Sequence, residues 1–105
     1  MSGGTKRQKE MRKALRSLAP RIPMSDAEAI LGIALSAHLR HLPPSIALWQ
    51  ATTSHVRHAL TEYDTLLEEG YDRDAARFFV VQTMNDILSD WGCNKEVSTD
   101  PDPSG

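Results

Sequence analysis

The stretch that decides the fold occupies residues 45–91 and reads SIALWQATTSHVRHALTEYDTLLEEGYDRDAARFFVVQTMNDILSDW. In its first half, apolar or adaptable side chains recur every three or four residues, at Ile46, Trp49, Thr53, Val56, Leu60, Tyr63 and Leu67. Side chains at this spacing lie on one face of a helix. The pattern therefore predicts one long helix that Ser45 caps and that Gly70 ends.

A second helix is predicted after Gly70, with Asp72 as its N-cap residue and Gly92 just past its end. Its apolar stripe consists of Ala76, Val80, Val81, Met84, Ile87, Leu88 and Trp91. A connection this short allows only antiparallel packing of the two helices. The centre of the fold should therefore be an antiparallel helical hairpin.

Two further helices are predicted upstream of the hairpin. Ser25-Asp26-Ala27-Glu28 matches a capping box, and the helix that it opens should run to about His41. Residues 5–18 carry a thinner amphipathic pattern, which Pro20 and Pro23 end. The predicted class is all-α, a small three- to four-helix domain built on the hairpin.

The length and the composition agree with one small domain. The chain has 105 residues, of which 40% are hydrophobic, enough for a modest core. The single Cys93 excludes an internal disulfide and favours a reducing compartment. The sequence has no apolar run long enough for a membrane span, so we expect a cytoplasmic protein without a membrane partner.

The charge is strongly polarised along the chain. Residues 1–21 carry seven basic side chains and one acidic one, whereas the remaining 84 residues carry five basic and thirteen acidic ones. This predicts a basic N-terminal arm at residues 1–22, able to form a short helix, a helical domain at 23–93 and an acidic tail at 94–105. Residues 1–4 and 95–105 are expected to be disordered.

Arg77 is the unusual residue of the hairpin, because helical geometry places it inside the apolar stripe. A guanidinium in such a place needs a partner. Asp64 lies level with it across the predicted hairpin, so the sequence predicts a structural ion pair between the two. In that case Arg77→Ala should cost about 2–4 kcal/mol. The alternative is an arginine that anchors a ligand.

All four histidines occur in two copies of the tetrapeptide His-x-Arg-His, at residues 38–41 and 55–58. Two histidine pairs on neighbouring helices could supply four nitrogen ligands to a metal ion. The spacing lacks the additional Glu of common zinc motifs, so no metal site is assigned. His38 is interpreted as a core histidine, whereas His55, His58 and Glu62 should share a solvated face.

The sequence does not define an enzyme or a cofactor site. Cys93 has no histidine close in sequence, the serines and threonines lie in no elbow motif, and no glycine-rich phosphate loop is present. The paired carboxylates at residues 68–69 and 72–74 are interpreted as solvated surface. No catalytic residue is therefore assigned, and a histidine-based metal or hydrolytic site is kept only as an alternative.

The basic arm favours weak, sequence-tolerant nucleic-acid binding through neutralisation of phosphates. The side chains expected to do this are Lys6, Arg7, Lys9, Arg12, Lys13 and Arg16. Deleting residues 1–18 should abolish the binding and leave the hairpin folded. A protein adaptor or a homodimer is the alternative, with Phe78 or Phe79 in the contact.

The hairpin also resembles a known family. The run His55-Val56-Arg57-His58, then Thr61-x-Tyr63-Asp64-x-Leu66-Leu67, then Gly70-Tyr71-Asp72-Arg73-x-x-Ala76-Arg77, with Trp91 closing the second helix, is similar to the DUF2293 family of uncharacterised bacterial and fungal proteins. The resemblance covers about residues 30–93 and implies no activity. Together with His55 on the polar face, it marks a set of candidate ligand- or partner-binding residues: Arg57, His58, Thr61, Tyr63, Asp64, Arg73 and Arg77.

Overall fold

The computed structural model of the chain describes residues 5–98, which form five α-helices and no strand. The helices are α1 (Lys6–Leu18), α2 (Met24–Ala34), α3 (Pro44–Leu60), α4 (Tyr63–Glu68) and α5 (Arg73–Asp90), with a 3₁₀ turn at Ala37–Leu39 between α2 and α3. The prediction of an all-α domain is confirmed. No helix in this part of the chain combines the length and the apolar character needed to cross a membrane.

The predicted long helix is broken in two at Thr61. Thr61 adopts an extended backbone conformation, and its hydroxyl donates to the carbonyl of Arg57 while accepting the N–H of Tyr63. A threonine hydroxyl that bonds to nearby backbone groups competes with helical hydrogen bonds. The prediction of one uninterrupted helix up to Gly70 is therefore wrong, and α3 and α4 meet at an angle that the sequence pattern does not show.

The boundaries of α2 and α3 also differ from the prediction. The helix α2 begins at Met24 after Pro23, with no side-chain cap, so the Ser25 capping box does not form. It ends at Ala34 rather than near His41, because Ser36 is extended and its hydroxyl donates to the carbonyl of Ile33. Pro44 supplies the first residue of α3, since its fixed φ suits a first helical position.

The core lies between all five helices and consists of Met11, Leu15, Ala19, Ile30, Ala34, Leu39, Ala47, Leu48, Ala51, Val56, Tyr63, Leu66, Ala76, Val80, Met84, Leu88 and Trp91. The predicted stripe of α5 is confirmed for most of its members. In α3 the buried face is rotated towards Leu48 and Thr52, so that Ile46 and Leu60 are exposed. The break at Thr61 explains this, since α3 and α4 need not share one continuous face.

The helix α1 is docked onto the rest of the domain. Met11 and Leu15 are buried in the core, and Thr5 and Gln8 form a capping box at its start. Arg7 donates to the carbonyls of Leu39 and Leu42, at 3.4 and 2.8 Å. At the other end, the Arg21 N–H donates to the carbonyl of Trp91 at 2.9 Å. The described part of the basic arm, residues 5–22, thus has a fixed position on the domain.

Two glycines terminate helices as predicted. Gly70 follows α4 with φ of +104°, and Gly92 follows α5 with φ of +85°. A Cβ atom on Gly92 would also lie 3.0 Å from Cγ of Pro20, so the close approach of the chain after α1 excludes a larger residue there. Asp72 caps α5 as predicted, because its Oδ1 accepts the N–H of Ala75 at 2.8 Å.

The residues after α5 fold back onto the domain as far as they are described. The side chain of Asn85 accepts the N–H of Val97 at 2.7 Å and donates to its carbonyl at 3.1 Å. The ammonium of Lys95 lies 4.5 Å from the ring centroid of Trp49. These contacts give Lys95 and Val97 partners on the domain, and disorder at residues 95–98 stays a prediction. The rest of that prediction, for residues 1–4 and 99–105, falls outside the described residues.

Candidate functional site

Five of the predicted ligand-binding residues come together where α3 ends and α4 begins. Arg57 and His58 lie in the last turn of α3, Thr61 forms the break, and Tyr63 and Asp64 open α4. Arg77 lies in α5, and its charge lowers the pKa of Arg57. The break at Thr61 groups the first five side chains, because a continuous helix would spread residues 57–64 along about two turns. We call these five residues, without Arg77, the junction cluster.

The guanidinium of Arg57 is the unusual group of the cluster. It lies over the ring of Tyr63, with Cζ 5.7 Å from the ring centroid. Its Nε is buried and has no hydrogen-bond partner among residues 5–98. Burial lowers the pKa of Arg57 below its ordinary value, the nearby charge of Arg77 lowers it further, and Tyr63 partly offsets both. The fold therefore holds a partly buried guanidinium against the Tyr63 ring, with no carboxylate partner among residues 5–98.

Asp64 pairs with His58 and not with Arg77. The Nδ1 of His58 donates to Oδ1 of Asp64 over 2.7 Å, and the imidazole meets the ring of Tyr63 edge to face, with ring centroids 5.2 Å apart. The predicted Asp64–Arg77 ion pair is therefore wrong. The break at Thr61 turns Asp64 back towards the end of α3, and Arg77 is exposed instead of buried in the stripe. The arrangement holds an oriented imidazole against the ring of Tyr63, which the guanidinium of Arg57 also contacts.

Besides Arg77, two further predicted residues, His55 and Arg73, lie outside the cluster. His55 was expected on a solvated face, but its Nε2 donates to Oδ1 of Asp26 in α2 over 2.8 Å, and both side chains are mostly shielded from solvent. Sequence reasoning missed Asp26, because nothing in the sequence links it to a residue 29 positions away. Arg73 is exposed in the first turn of α5 and takes part in no ion pair in the described part of the chain.

The four histidines do not form a common site. His38 and His41 are exposed near the 3₁₀ turn, so the interpretation of His38 as a core residue is wrong. Its Nδ1 lies 3.1 Å from the hydroxyl of Ser36. Within residues 5–98, no three His, Cys, Asp or Glu side chains lie close enough together to hold a metal ion. The repeated tetrapeptide thus occurs in two unrelated local structures.

The basic side chains of α1 form a second candidate surface. Lys6, Lys9, Lys13 and Arg16 are exposed and fall on one face of the helix, opposite the buried Met11. None of the four forms an ion pair within residues 5–98. Arg12 is exposed beside this face, whereas Arg7 is engaged with backbone carbonyls as described above. We call the four residues the α1 basic stripe.

The fold and these two surfaces define a small all-α protein with a basic surface helix and a cluster of polar residues at a helix junction. The chain belongs to the family described as uncharacterized conserved protein (DUF2293), whose model matches residues 14–92. The match begins inside α1 and includes the whole junction cluster. The comparison with curated proteins found no match, and neither did the comparison with solved structures.

Proposed function

We propose that this protein binds nucleic acid weakly and without sequence preference through the α1 basic stripe. The observation that supports this most is the docking of α1, because Met11 and Leu15 in the core leave the four basic side chains pointing outwards from a fixed helix. A fixed row of charges loses less conformational entropy on binding than a flexible tail does. Phosphate neutralisation by such a row is the main source of sequence-independent affinity for nucleic acids.

The dimensions of the stripe suit a phosphate backbone. The eleven residues from Lys6 to Arg16 span about 15 Å of helix, ten steps of about 1.5 Å each. Lysine and arginine side chains at that spacing can reach several successive phosphates of one strand, and they carry no sequence information. The rest of the chain is acidic and would repel nucleic acid, so the contact should be confined to α1. A cytoplasmic location, favoured by the single cysteine, agrees with this proposal.

The experiment compares two variants with equal loss of charge. Lys9→Gln with Lys13→Gln removes two charges from the stripe, and Arg40→Gln with Arg73→Gln removes two exposed charges elsewhere. Binding of labelled single- and double-stranded DNA and RNA is followed by fluorescence anisotropy at low salt. The first variant should bind several-fold more weakly than the wild type, and the second should bind almost as well. Equal losses in both would contradict the assignment to α1.

A second candidate function is self-association, which one specific surface favours. Tyr71, Phe78 and Phe79 are all exposed, and their rings form a ladder with centroid separations of 5.4 and 6.0 Å. Exposed aromatic patches of this kind occur at protein contacts. Sedimentation equilibrium of the wild type and of Phe78→Ser with Phe79→Ser tests this. A concentration-dependent dimer that the variant lacks would support it, and a monomer in both would exclude it.

A further inference from the structure

A groove of about 760 Å³ lies between α1 and α2, as far as residues 5–98 define its walls. Its apolar lining consists of Leu15, Ala19, Ile22, Ala27, Leu31 and Leu35. Leu15 and Ala19 belong to the core, so the groove reaches the buried centre of the domain. Met24 also lines it and is 75% exposed. Ligand sites with a mostly apolar lining have volumes of about 300–1,000 Å³, so this groove, which we call the α1–α2 groove, can receive several apolar side chains.

The charged residues of the α1–α2 groove are mostly basic. Arg12 and Arg16 lie one turn apart on α1, and Glu28 lies on α2. All three side chains are exposed. Arg16 is the member of the α1 basic stripe that lines the groove, whereas Lys6, Lys9 and Lys13 do not. The groove should therefore favour an occupant that has an apolar centre and acidic flanks.

The exposed rings of Tyr71, Phe78 and Phe79, which we call the aromatic patch, have such flanks. Phe78 and Phe79 are 64% and 56% exposed. Positions 74, 78, 82 and 86 follow one another at intervals of four in α5, so Asp74 and Asp86 lie on the same side of the helix as Phe78. Both aspartates are exposed. The two arginines of α5 lie on the other side of the helix, which leaves the surroundings of the patch acidic.

We propose that the α1–α2 groove receives the aromatic patch of a second copy of this chain. The inference rests on self-association, the second candidate function above, and names the two surfaces that meet. A contact between two patches would bring the carboxylates of Asp74 and Asp86 from both copies together, and like charges repel. A contact between patch and groove brings these carboxylates to the basic side of the groove and the rings to its apolar lining. Each copy supplies one groove and one patch, so two such contacts can close a symmetric dimer.

The groove can be blocked at Gly32 without a clash inside the domain. Gly32 lines the groove, and a Cβ atom there would have no neighbour within 4 Å. Gly32→Gln therefore places a long polar side chain at the groove, and Gly32→Ala is the matched control without the bulk. Glycine is a poor helix former, so both variants should melt no lower than the wild type. Their melting temperatures, followed by circular dichroism, separate a blocked groove from an unfolded domain.

Sedimentation equilibrium of the full chain measures the association. The wild type and Gly32→Ala should associate equally well, whereas Gly32→Gln and Phe78→Ser with Phe79→Ser should each associate more weakly by about tenfold or more. Association of Gly32→Gln at wild-type strength, with a loss only in the phenylalanine variant, would overturn the groove contact and keep self-association. A wild type that stays monomeric would overturn both and would point to another occupant of the groove.

Charge reversal tests the basic side of the groove. Arg16→Glu should weaken the association several-fold, because the reversed charge would repel the acidic flanks of the patch. Lys6→Glu makes the same change of charge on the same helix at a residue that does not line the groove, and it should have a much smaller effect. Equal losses in the two variants would assign the attraction to the charge of α1 as a whole and overturn a contact at the groove.

A mixture of two defective variants tests the contact between groove and patch directly. Phe78→Ser with Phe79→Ser keeps the groove, and Gly32→Gln keeps the patch, so the two chains together can form one of the two contacts. Addition of Gly32→Gln to the isotope-labelled phenylalanine variant should shift the amide resonances of Leu31 and Leu35 saturably. A chain that carries all three substitutions should cause no shift. Equal shifts in both titrations, or none in either, would overturn the proposal.

Discussion

His55 and Asp26 join α3 to α2 through one hydrogen bond of 2.8 Å, with only 12% and 19% of their side chains exposed. A charge-assisted bond that is shielded from water contributes more to stability than one on the surface. We expect a double-mutant cycle with His55→Ala and Asp26→Ala to give a coupling energy of about 1–2 kcal/mol at neutral pH. Urea denaturation of the four proteins measures it.

The pair His58–Asp64 is the matched control, because it has the same chemistry and a similar length, 2.7 Å, but is about half exposed. The corresponding cycle should give no more than about 0.5 kcal/mol. A coupling energy for His58–Asp64 equal to that of His55–Asp26 would show that shielding does not decide the strength of these bonds.

Replacement of Arg77 should leave the free energy of unfolding unchanged or slightly increased. The positive charge of Arg77 lowers the pKa of Arg57, so it disfavours the charged guanidinium that the folded state holds at every accessible pH. Arg77 is exposed and water screens the effect, so we expect a gain of no more than about 0.5 kcal/mol for Arg77→Gln. Chemical denaturation tests this. A decrease of about 2–4 kcal/mol in the free energy of unfolding would instead support the structural ion pair that the sequence predicted.

The helix α1 should contribute directly to the stability of the domain. Met11 is fully buried, so Met11→Ala is expected to cost about 2–4 kcal/mol through lost burial and the cavity left behind. Deletion of residues 1–18 should therefore unfold or strongly destabilise the hairpin, contrary to the expectation from sequence. Thermal denaturation followed by circular dichroism measures both changes. A truncated protein with wild-type stability would show that α1 is not part of the core.

The side chain of Asn85 should hold the segment after α5 in place on the domain. Its side chain holds both backbone groups of Val97, so Asn85→Ala is expected to cost about 1–2 kcal/mol. Hydrogen exchange provides the sharper readout, because the amide of Val97 should lose its protection while amides within α3 keep theirs. Unchanged protection of the Val97 amide would mean that the segment is held by other contacts.

Much of the fold could be predicted from the sequence, because periodicity and glycines report directly on helices. The stripe of α5, the cap at Asp72 and the turns at Gly70 and Gly92 all follow from local chemistry. The break at Thr61 could not be predicted, since a threonine within a helical pattern bonds to the backbone only in some contexts. That one residue also explains the rotated buried face of α3.

The sequence predicted which residues belong to the candidate site, but it did not predict which of them contact each other. The family motif indicated Arg57, His58, Asp64 and Arg77, and the structure brings the first three together around Tyr63. The predicted ion pair between Asp64 and Arg77 was wrong. Residues at equal distances from the turn of a hairpin contact each other only if both helices are continuous. Partners that are distant in sequence, such as Asp26 for His55, leave no local signal.

The salt dependence of nucleic-acid affinity tests the central claim most directly. The affinity for a labelled single strand is measured between low and moderate salt, and its logarithm is plotted against the logarithm of the salt concentration. If four basic side chains each contact a phosphate of the single strand, this plot should have a slope of about −3. The loss of two of these contacts in Lys9→Gln with Lys13→Gln should make the slope shallower by about 1.4. The Arg40→Gln/Arg73→Gln control should keep the wild-type slope. A slope that does not change in the stripe variant, or no binding to any strand at low salt, would contradict the proposed function.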